Sequence, residues 1–249
     1  MPDAARLDHN HTCPKSDPPA HVGGHITEGS PDVDTNNQKQ ARVTDRTRCT
    51  GVNKNDLIKF GSATVEVNGL PAARKTDKTA HGGVIAEGSD NVEIGGASVR
   101  ATVQQLAAVI KKNPRIHLAS RHPSGVKDQA NPQQEINDAA DGKAVNRSAY
   151  QKAPGGTTDL NQDMLTQMND YSKDHDIAVS EIAGGSHSAT SRHYDGLGYD
   201  VTSIDGNPVN SSNTLNSDLE NAGRDGGATE VLGPGNPDHD THVHLAWPR

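Results

Sequence analysis

Three segments in the first hundred residues begin alike: ARLDHNHTC from Ala5, ARVTDRTRC from Ala41 and ARKTDKTAH from Ala73. Seven residues beyond Arg6, Arg42 and Arg74 stand Cys13, Cys49 and His81. Each start runs into a Gly-bounded stretch that alternates with period two: HITEGSPDVDT, IKFGSATVEVNG and VIAEGSDNVEIGG. Such alternation reads as short β-hairpins. A repeat this small cannot bury a face by itself, so the three should wrap around one axis and bring equivalent positions together near one end.

Those equivalent positions are metal-ligand types. His11, Cys13, His21, Cys49 and His81 supply more donors than the four of a closed tetrahedral zinc site. A metal staple suits the composition: 31% hydrophobic residues, with one Phe, one Trp and four Tyr, leave a thin core over 249 residues. The two cysteines have histidines nearby, which favours ligation over a disulfide. A net charge of -8 argues against a nucleic-acid partner, which calls for basic surface. No apolar run reaches the roughly 18 residues of a membrane span, so no membrane insertion is expected. The start, MPDAARLDHNHTCPK, has no apolar core of a secretory signal.

NGLPAARKTD contains Pro71-Ala72-Ala73-Arg74, and residues 4 to 96 also carry HTCP, HVGG, AHGGVI and repeated GS turns. In these features the segment resembles a PAAR-repeat domain. The resemblance implies an all-β, three-repeat cone over residues 1–98, seated by its base on the trimeric spike protein of a type VI secretion system. It also implies one structural zinc near the tip, held by three His and one Cys. Carried onto this sequence, those ligands are His11, His21, Cys49 and His81, with Cys13 in repeat register and able to displace His11.

The character changes near Val99. TVQQLAAVIKK is amphipathic and reads as a linker helix within residues 99–114. NPQQEINDAADG reads as a helix with Asn131 as N-cap and Gly142 as stop. DLNQDMLTQMNDYSKDH places Leu160, Met164, Leu165, Met168 and Tyr171 on one helical face, while IAVSEIAG, GLGYDVTSI and THVHLAW read as strands. This mixture, without strict βαβ alternation, predicts an α+β domain over residues 115–249.

Its chemistry centres on SRHYDGLGYD, with His193 and Asp200, and on HDTHVHLAWP. Residues two apart on a strand share a face, so His242 and His244 point together. Two imidazoles and one carboxylate would leave a zinc ion with an open position, the catalytic arrangement. Zinc so held polarises a carbonyl and lowers the pKa of water to about 7. His187 and Arg192 are candidate substrate contacts, Asp195 and Asp205 read as turn residues, and His122 and His175 as exposed.

SRHYDGLGYD also resembles the S-x-H-x-x-G-x-A-x-D motif of zinc D-Ala-D-Ala carboxypeptidases and related peptidoglycan endopeptidases. It matches at Ser191, His193, Gly196 and Asp200, with Gly198 in place of Ala. HVHLAWP resembles the H-x-H that closes such sites. The resemblance implies a zinc metallopeptidase domain, with catalytic zinc on His193, Asp200 and His244, His242 assisting water or oxyanion, and Ser191, Arg192 and His187 against the substrate. Some relatives place an acidic base three residues before the last ligand. Here that residue is Thr241, and Asp240 is the acid available to orient or replace His242.

The two halves together predict a type VI effector, passing from the donor cytoplasm to the target-cell periplasm and cutting peptidoglycan stem peptides. A cognate immunity protein would be its third partner. An N-acetylmuramoyl-L-alanine amidase and a non-enzymatic spike cap with an adaptor domain are the alternatives.

Overall fold

Alanine at three equivalent positions lets three chain segments meet. The amide of Ala41 donates to the carbonyl of Ala5 (2.9 Å), Ala73 to Ala41 (2.8 Å) and Ala5 to Ala73 (3.0 Å), closing a ring of hydrogen bonds. Ala5, Ala41 and Ala73 form one fully buried cluster with Ile26, Ile58 and Ile85. A larger side chain at the alanines would push the strands of the ring apart. A second threefold set follows: the amides of Asp8, Thr44 and Thr76 donate to the carbonyls of Ile26, Ile58 and Ile85 at 3.0, 2.8 and 2.9 Å. All three donors sit at φ of 68–75°, a region that a β-branched residue enters only when its surroundings force it.

The repeated Arg has a matching use. Asp45 and Asp77 each accept from the amide and the guanidinium of the Arg three residues earlier, Arg42 and Arg74. In the first repeat His9 replaces the carboxylate and pairs with Arg6. These features belong to one compact unit, Met1–Ala101, in a computed structural model that describes all 249 residues; the second unit is Thr102–Arg249. Strands in the first unit are only two to four residues long, as in Arg46–Cys49 against Lys54–Leu57. The expected longer alternating strands are broken at the GS turns, where Ser30 Oγ accepts from the amide of Val33 (2.8 Å) and Ser62 Oγ from that of Val65 (3.1 Å).

In the second unit, α1 (Val103–Lys112) begins with a capping box between Thr102 and Gln105 and buries Leu106, Ala107 and Ile110. It packs on α2 (Pro132–Ala140) and α3 (Gln162–Tyr171). The expected linker helix is therefore part of the second unit, because its apolar face is covered there. Asn131 caps α2 and Asn161 caps α3 through their side chains. Leu160, Met164, Leu165, Met168 and Tyr171 are all buried.

The main sheet is formed by β1 (Ile116–Leu118), β2 (Ile177–Glu181), β3 (Gly198–Ile204), β4 (Glu230–Leu232) and β5 (Val243–Ala246). Its order is β4-β5-β3-β2-β1, with a short strand at Asn207–Pro208 beside β3. Only β1 and β2 run parallel. A fourth helix, α4 (Leu215–Asp225), covers β5 and buries Leu219. Cross-strand register pairs Glu181 with Asp200 and Asp200 with His244. Those three side chains therefore lie in one row on one face of the sheet.

His122 and His175 correct the sequence reading. His122 is 2% exposed, enclosed by the carboxylates of Asp128 and Glu181. His175 is half-buried, stacked on Tyr171 and bonded to Asp205 at 2.8 Å. Asp205 does occupy a hairpin turn, at φ 50° before Gly206 at 76°.

Two candidate metal centres

In the first unit the donor atoms of Cys13, His21, Cys49 and His81 lie within 4.8 Å of one another. His81 Nδ1 is 3.7 Å from the sulfur of Cys13 and 3.6 Å from that of Cys49. A tetrahedral zinc with ordinary bonds would separate sulfur and nitrogen donors by about 3.6 Å. His21 Nδ1 is buried without a hydrogen-bond partner. Burial, reinforced by the neighbouring Cys13, pushes the Cys49 thiol up to about 12, so a thiolate there needs a cation beside it. Orphaned nitrogen, spacing and soft donors all fit zinc.

His11 falls outside this quartet, and Cys13 takes the place the resemblance assigned to it. The His11 ring is held by the fold itself, with Nδ1 donating to the Gly24 carbonyl (2.9 Å) and Nε2 beside Thr47 Oγ1 (3.1 Å). It groups instead with Cys49 and Asp56, all buried.

The second centre is built on a short turn. Ser191 Oγ accepts from the amide of His193 (3.3 Å), starting a 3-10 turn over Arg192–Asp195 that Gly196 ends at φ 68°. A Cβ on Gly196 would lie 2.1 Å from the Asp159 carbonyl oxygen. Glycine is thus required twice over, by conformation and by space. Gly198 is close-packed too: a methyl there would sit 3.2 Å from Ala246 Cβ and 3.3 Å from the His244 ring.

The turn delivers His193 to the sheet. Its Nδ1 bonds the Ile182 carbonyl, and its Nε2 lies 3.0 Å from His244 Nδ1 and 3.2 Å from Asp200 Oδ1. Asp200 Oδ1 is 2.8 Å from His244 Nδ1, and His244 Nε2 is 3.2 Å from Glu230 Oε1. Each histidine thus has its outer nitrogen tied and its inner one turned to a shared point, the usual second shell of a metal-binding imidazole. Burial works against charge on Asp200, but His193 and His244 outweigh it and hold the carboxyl well below its ordinary range. Burial likewise opposes a charged His193, and Asp200 reverses the effect, raising its pKa. Three converging donors, two neutral-capable and one anionic, fit a divalent metal.

Of the three donors, Asp200 borders a cleft of about 310 Å³ that is also lined by Tyr150, Gln151, Glu181, His187 and His242, while His193 and His244 are buried. His187 stacks on His193 with ring centroids 4.0 Å apart, and burial takes its pKa down to about 3, so it is neutral. His242 Nε2 is 3.9 Å from Asp200 Oδ2, with its pKa also lowered by burial. Thr241 lines the same cleft.

The remaining predicted residues are engaged elsewhere. Asp240 is exposed and accepts from the amide of Gly235 (3.4 Å). Arg192 donates to Thr229 Oγ1 (2.7 Å) and the Trp247 carbonyl (3.1 Å) and pairs with Glu230 (3.5 Å). Ser191 is spent as the cap. Among the three candidate substrate contacts, His187 alone lines the cleft.

Sequence reading missed Glu181, Glu230 and the group around His122. His122 Nδ1 bonds Glu181 (2.6 Å), its Nε2 bonds Asp128 (2.9 Å), and Ser148 donates to Asp128 (2.8 Å). No local spacing announces these contacts, because the partners of His122 stand 6 and 59 residues away.

The chain thus joins a threefold β unit holding a four-donor cluster to an α+β unit holding a second donor cluster beside a cleft, each able to hold a metal ion. Comparison with known proteins adds that residues 16–87 match the PAAR motif. The chain is also 42% identical over 67 residues to Double-stranded DNA deaminase toxin A of Burkholderia cenocepacia (strain H111). That similarity spans 26% of this chain and 5% of the toxin.

Proposed function

We propose that this chain is a type VI spike-tip effector whose second unit hydrolyses peptide bonds in peptidoglycan stems. The observation that carries the enzymatic half is the convergence of His193, Asp200 and His244 beside an open cleft. The PAAR motif over residues 16–87 and the closed ring of three alanines support the docking half, with a trimeric spike protein as the partner. Peptidoglycan in the target periplasm would be the substrate, and an immunity protein would protect siblings.

When bound, zinc would supply a Lewis acid for the scissile carbonyl and a water acidified to near neutrality. The chain's own residues do the rest. The Ile182 carbonyl and the Glu230 carboxylate fix the tautomers of His193 and His244, leaving Nε2 and Nδ1 as donors. His242, neutral and half-buried at the cleft wall, takes a proton from the attacking water and returns one to the leaving amine. The flat stack of His187 on His193 keeps that ring in place while the peptide occupies the cleft.

The deaminase activity named for the similar toxin is that protein's own, since the match covers only 5% of it, and the donors of the second unit differ from those of a zinc deaminase. Zinc deaminases hold their metal with at least two cysteines, and residues 102–249 contain none.

Digestion of purified peptidoglycan by the zinc-loaded full chain, with products resolved by mass, tests this reading. New amino and carboxyl ends within the stem peptide are expected, and His193→Ala should abolish them. Release of intact stems from muramic acid would point to an amidase, and an unchanged sacculus to an inert cap.

A further inference from the structure

The cysteines of this chain are Cys13 and Cys49. Both sulfurs lie within 3.7 Å of the same imidazole nitrogen, His81 Nδ1, and within 4.8 Å of one another. Their settings differ. Cys49 ends the strand Arg46–Cys49 and is fully buried, whereas Cys13 is partly exposed on a stretch without strand or helix. The Cys13 thiol is therefore reachable from solvent, while that of Cys49 is enclosed.

We infer that Cys13 and Cys49 are a redox-sensitive pair, which a small-molecule disulfide joins into a bridge with loss of the metal held by the quartet. This inference concerns the first unit and does not depend on the hydrolase reading. In the first step the Cys13 sulfur attacks the small disulfide, forming a mixed disulfide and expelling one small thiolate. The Cys49 sulfur then attacks Cys13 and expels the second thiolate. Two electrons pass from the protein sulfurs to the oxidant, and one S–S bond replaces another. A bridged pair no longer offers thiolates, so His21 and His81 remain as the only donors of the four. Two imidazoles hold zinc far more weakly than a complete set. Reducing surroundings would keep the metal in place, and oxidising ones would release it.

The test uses the full-length Asp200→Ala chain, so that the second centre does not contribute metal, loaded with zinc alone. Oxidised glutathione is added while a chromogenic chelator records zinc and intact mass records the protein. The expected result is release of one equivalent of zinc, in step with loss of two thiols and two hydrogens. Release should be at least tenfold faster than with reduced glutathione, and a dithiol reductant should restore zinc binding. Cys49→Ser should stop at a glutathione adduct on Cys13. Two separate adducts without a bridge, zinc retained after bridging, or a reduced chain that takes up no zinc would each overturn the inference. None of these readouts involves hydrolysis, so failure of the peptidase reading would leave the result unaffected.

Discussion

His122 lies between Glu181 and Asp128, and this sets how the second unit responds to pH. Burial works against its protonation, but the two carboxylates outweigh burial and raise its pKa above the ordinary 6.5. A histidine with a raised folded-state pKa adds stability that is complete below the unfolded value. That stability is lost as pH rises through the folded value. His122→Gln should therefore destabilise the second unit below pH 6.5, by about 3 kcal/mol as for other broken buried pairs, and by less near pH 9. Trp247, the single tryptophan, is buried in this unit, so its fluorescence during denaturation reports the change. An equal loss at both pH values would show that His122 is not a charged partner. At the cleft wall, if the proposed hydrolysis holds, His242→Ala should keep the metal of the second centre and lose roughly 10²–10⁴-fold in rate, the range of a positioned acid–base group. Loss of metal together with rate would instead exchange the roles of His242 and His244. His193 and Asp200 were legible in the sequence because one short motif contains both. Glu181 and Glu230 were not, because they reach their partners through folding of remote segments, and Asp128, six residues from His122, stands at no spacing that marks a site.

The turn from Ser191 to Gly196 shows how much one element can carry. Its start is capped by Ser191, its end needs a left-handed residue, and it packs against the approach to α3, where the amide of Asn161 donates to the Gly196 carbonyl (2.9 Å). Gly196→Ala would combine an unfavourable φ with a contact of 2.1 Å to the Asp159 carbonyl oxygen. The variant should lose at least ~1–3 kcal/mol from backbone strain alone and bind zinc more weakly at the second centre, measurable by Trp247 fluorescence and metal titration. An unchanged melting profile and affinity would mean that the turn does not position His193. Elements with strong end signals were readable: Asn131 caps α2 as its sequence predicts, through the side chain that Asn commonly uses there. Helix α4 was not. Thr214 makes no side-chain cap there, and its sequence, LNSDLENAGRD, is polar. It stays helical by packing on β5, with Gly223 letting Leu245 approach closely.

Across the whole chain the two centres differ in kind. The Cys13–His21–Cys49–His81 quartet joins donors from all three repeats and would complete a tetrahedral site, so a metal there would contribute to folding of the first unit. The His193–Asp200–His244 centre sits in a unit with a larger apolar core, and a metal held by these three residues would keep a position for water. Repeat register made the first centre readable, down to Cys13 as a candidate. The choice between Cys13 and His11 depended on which ring the fold had already engaged. Moderate chelation should accordingly stop hydrolysis before it disturbs the first unit. The most direct measurement is the zinc content of the metal-replete, fully folded chain beside that of Cys49→Ala and Asp200→Ala. Two zinc ions in the wild-type chain and one in each variant are predicted. A single zinc in the folded wild-type chain, or two retained in Asp200→Ala, would contradict the two-centre account.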